Sequence, residues 1–407
     1  MKNPHLLAIA VALILAPTSS VIAQALPPVR QLGRILTTSA QTVPGIASAR
    51  ELRQGRVLVN DTLARRLYVF DSAFTSRLVL RDSGEVAANP YGRFAGGMIA
   101  HRGDSTLFVN PSFASMLLID PTGKPARAVA VPSPSELLFL AGGTFGAPGF
   151  DARRRLIYRG SARDRALLPA SPFSPYPERD SAPILRFDAN ARRTDTVAFV
   201  KIPKVVVTTV EEPDGRLKTT VRKDPLPTVD DWTVLPDGTI ALIRGGDFHV
   251  DWIDPNGKRI SSATIPFPWR RLSSDAKAAF MDSVRYATDT AFAAQKNRLA
   301  ERFDGTGIVP PEPMEPEFVS AGELPGNFPA FEASATRADP YGVLWIRTTQ
   351  RLRGEPVYYL IDRKGTAIDR VQLPPGRTIA GFGRNRTIYL ASMDSSGGVR
   401  LERAQVR

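Results

Sequence analysis

Short apolar runs recur along the chain, each set off by Gly, Pro, Asp or Asn. That is the pattern of strands bounded by tight turns, because those residues supply the backbone conformations that turns need. Residues 230–259, DDWTVLPDGTIALIRGGDFHVDWIDPNGKR, carry it most fully. Trp232, Val234 and Leu235 lead into the turn Pro236-Asp237-Gly238. Ile240, Ala241, Leu242 and Ile243 form a second run, which Gly245-Gly246 breaks. Val250, Trp252 and Ile253 form a third, closed by Asp254-Pro255-Asn256-Gly257 in the type I order of Asp first, Pro second and Gly fourth. The stretch predicts strand, turn, strand, loop, strand, turn.

Degenerate copies of this unit run through the chain. An apolar residue followed by Asp closes the third strand at Phe70-Asp71, Ile119-Asp120, Phe187-Asp188, Ile253-Asp254 and Ile361-Asp362. Upstream lie the second-strand cores Val57-Leu58-Val59, Leu107-Phe108-Val109, Leu156-Ile157-Tyr158, Ala241-Leu242-Ile243 and Leu344-Trp345-Ile346, with a sixth at Tyr389-Leu390-Ala391. Repeated four-stranded units that cannot bury their own faces must stack on one another. The expected fold is therefore all-β: a six-bladed β-propeller spanning residues 26–407. Only Val399 to Val406 remains for the last blade, so residues 34–38, RILTT, are expected to supply its outer strand and remove an exposed edge.

Two insertions interrupt the repeat. Residues 205–210 and 217–221 alternate around Pro213-Asp214-Gly215, which predicts a hairpin. Residues 265–328 form a helical and Pro-rich insertion within the propeller. Its helix is predicted over 275–303, from an N-cap at Ser273 or Ser274 and helical spacing of Phe280, Val284, Ala287 and Ala291. Phe280, Val284 and Phe292 are expected to dock on the propeller. Pro310, Pro311, Pro313, Pro316, Pro325 and Pro329 then impose an extended path.

The units resemble the six-bladed β-propellers related to NHL-repeat proteins, in secreted bacterial versions. The resemblance rests on WTVLPDG at 232–238, the Phe/Ile-Asp-x-x-Gly turns, and IPFPW at 265–269 leading into the helix. It covers nearly all of the chain after residue 25. It implies a fold and no particular reaction, since that group includes binding scaffolds as well as uncharacterised proteins.

The first 25 residues read differently. Lys2, an apolar stretch over 6–15 and Ala23-Gln24-Ala25 have the order of a secretory signal peptide, expected to be cut after Ala25. Export to the periplasm or exterior is the expected localisation. Cysteine is absent, which excludes disulfides and thiolate chemistry. The net charge of +13 favours anionic partners, but the basic residues are scattered and no nucleic-acid motif accompanies them. No nucleic-acid partner and no transmembrane segment are expected, and the chain is expected to be a monomer.

Candidate chemistry is sparse. Outside the leader the histidines are His101 and His249, the latter flanked by Asp247 and Asp251. No nucleophile elbow, zinc-protease or Walker motif occurs. Gly142-Gly143-Thr144-Phe145-Gly146 reads as backbone freedom before a strand, and Arg102-Gly103-Asp104 as the first turn of the second unit. No catalytic residue, metal or cofactor is assigned. Aligning the units on their second strands puts Asn60, Asn110, Arg159, Arg244, Arg347 and Ser392 at one place around the ring. The expectation is a binding or interaction protein, its partner another protein or an anionic small molecule or glycan, with an anionic ligand held by Arg159, Arg244 and Arg347 opposite Asn60 and Asn110. The competing expectation is that each Arg pairs with a neighbouring carboxylate. The alternative function is a metal-dependent, lactonase-like hydrolase at the central tunnel, with Asn60, Asn110, Asp231 and Glu332 as conceivable ligands.

Overall fold

A computed structural model describes residues 25–82, 90–162, 180–211, 217–303 and 316–406. The proposed leader therefore lies outside the described residues, apart from Ala25, as do the hairpin tip at Pro213-Asp214-Gly215 and Pro310, Pro311 and Pro313.

Six antiparallel sheets form the blades, each with four strands that follow chain order from the centre outward in blades 1 to 5, while blade 6 takes its outer strand from near the N-terminus. Blade 1 comprises Ser48–Glu51, Val57–Asp61, Arg66–Phe70 and Arg77–Arg81. Blade 2 comprises Gly97–Ala100, Thr106–Asn110, Ser115–Ile119 and Pro125–Ala130. Gly149–Phe150, Leu156–Arg159, Ser181–Asp188 and Arg193–Lys201 make blade 3, and Asp231–Val234, Ile240–Arg244, His249–Ile253 and Arg259–Ser261 make blade 4. Phe331–Ala338, Leu344–Leu352, Glu355–Ile361 and Ala367–Gln372 make blade 5. Blade 6 has Arg377–Phe382, Thr387–Met393 and Val399–Gln405, with Ile35–Thr38 as its outer strand.

The second strands are apolar without alternation because each is covered on both faces. Val57 and Val59 pack against Tyr389, Ala391 and Leu401 of blade 6, while Leu58 between them packs against Phe108 and Ile119 of blade 2. The same exchange joins blades 2 and 3, 3 and 4, 4 and 5, and 5 and 6, so six apolar clusters close the ring. Each fully buried Val, Leu, Ile or Phe in them contributes about 1.5–3 kcal/mol, which suits a fold with no disulfide.

The recurring Asp has a local cause. In the turn between third and fourth strands its carboxylate accepts backbone N–H groups two and four residues on, as Asp254 does from Asn256 (2.8 Å) and Lys258 (2.9 Å), and Asp362 from Lys364 and Thr366 (both 2.9 Å). Asp71 adds the Ser76 and Thr75 hydroxyls, which hold its carboxyl well below the usual carboxylate range.

Closure occurs as the sequence predicts: Ile35, Thr37 and Thr38 pair antiparallel with Ala404, Arg403 and Glu402. A second tie was not legible. Val29–Gln31 adds a parallel fifth strand to blade 5 beside Ala367–Gln372, anchored by an Arg30–Asp369 ion pair. The hairpin Val205–Glu211 with Leu217–Lys223 is present, and Pro316–Phe318 adds to it in parallel.

The helix runs from Ser274 to Phe303, with Asp275 in its first turn. Two of its contacts lie within its own insertion: Lys277 Nζ donates to Leu324 O (2.6 Å), and Phe280 meets the Phe328 ring edge-on at 6.3 Å. Met281 is buried, whereas Val284 and Phe292 are half-buried and Tyr286 is exposed. No helix among the described residues is long and apolar enough to cross a membrane.

Candidate functional site

Antiparallel blades put two kinds of loop at opposite ends of the ring. Turns joining first to second strands share one end with turns joining third to fourth; turns joining second to third strands share the other end with the blade-to-blade connections. At the first end a funnel of about 1010 Å³ opens into the tunnel, lined by first strands and first turns of all six blades.

The other end is obstructed. The connection from blade 2 into blade 3 reaches inward, where Phe145 O accepts Trp232 Nε1–H of blade 4 (2.9 Å) and Gly143 O accepts the Ser334 hydroxyl of blade 5. Gly146 has φ 96°, and a Cβ there would lie 2.1 Å from Trp232 Nε1, so only glycine lets this segment sit so close. The Gly-rich stretch is thus a cross-tie over the tunnel as well as a flexible start to blade 3.

The funnel wall is rich in guanidinium groups. Arg50 donates one long hydrogen bond to Ser105 O (3.2 Å), and its buried Nε has no partner. Desolvation lowers its guanidinium. The side chain of Arg337, on the innermost strand of blade 5, makes no hydrogen bond or ion pair among the described residues, though Asp231 attracts it from a distance. Part of its surface faces the lumen, yet protein encloses it deeply enough that desolvation lowers it as well. Arg102 is exposed at the rim, also without an ion-pair partner among the described residues. It belongs to the predicted first turn of blade 2, where Gly103 adopts φ 61°.

The carboxylates of the funnel are already engaged. Glu51 accepts Tyr389 O–H (2.8 Å) and Arg384 N–H (3.1 Å). Asp104 pairs with Arg384 at 2.7 Å and Asp151 with Arg155 at 2.7 Å. Asp339 accepts the amides of Tyr341 and Val343, both at 2.9 Å. His101 adds no charge near neutral pH: burial, then the nearby Arg102 and other arginines, lowers its imidazole, which contacts Ser105 Oγ through Nδ1 (2.9 Å).

The ring of residues read from the second strands lies at the opposite end. Asn60 is buried, donating to Gly96 O (2.9 Å) and accepting from Tyr91 O–H (2.7 Å). Asn110 accepts the Ser112 amide at 3.2 Å. Arg159 stacks over Phe145 (4.7 Å) and Phe139 (5.3 Å) of the cross-tie. Arg244 is locked between Asp230 and Asp251, both at 2.7 Å. Arg347 differs. It meets the exposed Glu332 only at 3.5 Å and lines a second cavity of about 190 Å³, whose wall it shares with Arg337. Of the expected arc, Arg347 is the member that lines one of these two cavities, while Arg159, Arg244, Asn60 and Asn110 contact neighbouring protein groups.

The donors considered for a divalent cation do not fit one. They stand on four blades; both amides are engaged as above, and Asp231 is buried against the Thr336 amide (2.7 Å). Among the described residues no three of His, Cys, Asp and Glu gather at metal-binding spacing. Arg50 and Arg337 escaped the sequence reading because alignment on second strands looks past the first strands, and Arg102 reads only as part of a turn. The signal available was a basic residue just upstream of several apolar cores.

No known family profile and no curated protein matches the chain. Among solved structures it is similar to virginiamycin B lyase from Staphylococcus aureus, with 10% identity and TM-score 0.39 over 92% of this chain and 99% of that one. It is similar to a gluconolactonase from Xanthomonas campestris, with 9% identity and TM-score 0.42 over 94% and 99%. A third likeness is to a candidate exported protein from Bacteroides fragilis, with 9% identity and TM-score 0.44 over 93% and 94%. Likenesses this distant bring no residue and no activity to this chain, whose six-bladed propeller fold is given by its own sheets.

Proposed function

We infer that the protein is a non-catalytic binding propeller whose funnel holds an acidic ligand of small-molecule or glycan size. One observation carries this reading: Arg50, Arg102 and Arg337 face the funnel without a direct ion pair among the described residues, the nearby Asp104 and Asp231 being bound to Arg384 and the Thr336 amide. Setting a guanidinium into protein without a counterion costs stability. An arriving carboxylate or phosphate removes that cost through charge-assisted, often bidentate, hydrogen bonds. A funnel of about 1010 Å³ is at the upper end of ligand-pocket volumes. The leader-like residues 1–25 support a setting in the envelope or outside the cell.

The test is binding of the purified protein to an array of acidic glycans and phosphorylated compounds at two salt concentrations, alongside an Arg50→Gln/Arg102→Gln double variant. The parent should bind more weakly at high salt, and a folded double variant should lose about tenfold or more in affinity. A parent that binds nothing acidic, or a folded double variant that binds equally well, ends this reading.

A further inference from the structure

Behind Arg337, on the side away from the funnel, lies the cavity of about 190 Å³ between blades 5, 6 and 1. Its polar lining is Ser334, Arg337, Arg347, Tyr358 and Thr378, and no carboxylate lines it. Two guanidinium groups therefore face one small space, close enough that Arg347 opposes the charge on Arg337. Asp231 supports the charge on Arg337 from a distance, but neither guanidinium has a close carboxylate inside the cavity. Glu332 is largely in solvent and reaches Arg347 only at 3.5 Å, and Asp231 is turned to the Thr336 amide. Ser334 stands beside the cavity with φ 63°, a conformation unusual for a residue with a side chain, held where the blade 5 inner strand breaks register between Phe331 and Thr336. That break lets the strand bring Arg337 and Ser334 to the same cavity.

We propose that this niche is an oxyanion subsite that takes a phosphate dianion between Arg337 and Arg347. Two positive charges match a dianion better than a carboxylate's single charge, and the guanidinium forks with the Tyr358 and Thr378 hydroxyls offer donors to several phosphate oxygens, Ser334 being committed to Gly143 O. The proposal deepens the funnel reading through Arg337, which both cavities share. Arg347 lines the niche alone and Arg50 the funnel alone, so the two fail separately.

The probes are inorganic phosphate and glycerol phosphate, titrated into the full chain by calorimetry at low salt, with acetate as the single-charge control. Phosphate should bind with a dissociation constant of about 1 mM or below, and acetate should bind at least tenfold more weakly. Arg347→Gln should weaken phosphate by about tenfold, Arg347→Lys by less because it keeps the charge, and Arg50→Gln by less than about twofold. Glycerol phosphate binding as well as phosphate places a phosphoryl end group in the niche; phosphate binding alone restricts it to the free ion, and either result supports the subsite. No binding by the parent, parity of acetate with phosphate, or equal losses from Arg347→Lys and Arg50→Gln overturns it. Glycan binding lost in Arg50→Gln/Arg102→Gln while phosphate binding persists separates the niche from the funnel.

Discussion

Arg244 and Arg337 stand on neighbouring blades and are held in opposite ways. Arg244 lies between two carboxylates, Asp230 and Asp251, and Asp251 also takes the guanidinium of Arg259 and the hydroxyl of Ser261. Arg337 faces the lumen with no ion pair among the described residues. Two aspartates of blade 4 repeat the contrast. Burial pushes both up, but Ser261, Arg244 and Arg259 hold Asp251 at about 2, whereas burial takes Asp231 to about 6. A charge satisfied within the fold is part of the scaffold; a charge left facing a cavity is available to something else. Residue type alone does not distinguish them.

The largest effect should come from breaking the satisfied side. Arg244→Gln removes charge-assisted bonds to both Asp230 and the fully buried Asp251, which keeps only Arg259 and Ser261, and should cost about 3 kcal/mol in denaturant unfolding. A loss below about 1 kcal/mol would show that the cluster is not the fixed half of the contrast.

Asp231 gives the next largest effect, with a sign opposite to that of Asp251. The folded state binds a proton at Asp231 between about 4 and 6, so its contribution to stability is present at low pH and declines as pH rises through that window. Asp251, depressed, contributes fully above about 4, and that contribution declines as pH falls toward about 2. Asp231→Asn should therefore remove a decline of roughly 2–3 kcal/mol between pH 4 and 7 and leave the acid limb in place. An unchanged slope in that window would mean that nearby positive charge, that of Arg337 included, outweighs burial and keeps Asp231 ionised.

The smallest change in stability belongs to Arg337→Gln. With no direct ion pair to break and only a distant attraction to Asp231 to lose, it should leave unfolding within about 0.5 kcal/mol of the parent or slightly raise it, while weakening acidic ligands about tenfold. Destabilisation by several kcal/mol would reveal a structural role and remove the contrast with Arg244.

Much of the scaffold is legible in the sequence because its causes are local. Asp254 and Asp362 mark turns since each carboxylate binds two amides of its own turn, and Val57-Leu58-Val59 reads as a core run since both strand faces meet another blade. The closing strand at residues 34–38 follows from counting strands. What escapes has no local signature. Val29–Gln31 is three residues paired in parallel with a segment more than three hundred positions away. The helix carries Phe280 at a legible spacing, but its spacing does not say that Phe328, within the same insertion, covers it. The cationic wall escapes for a related reason: Arg50, Arg102 and Arg337 come together only once six short inner strands share an axis. Reading the ring at the second strands led instead to Arg244, whose neighbours Asp230 and Asp251 were already in view.

The most direct measurement is a crystal structure of the protein with the tightest-binding acidic compound from the array. The account predicts the ligand's anionic group in the tunnel, within hydrogen-bonding distance of Arg50 or Arg337, with Arg244 still bound to Asp230 and Asp251. Density at Arg159 or Arg244 on the opposite end, with the funnel holding only solvent, would contradict it.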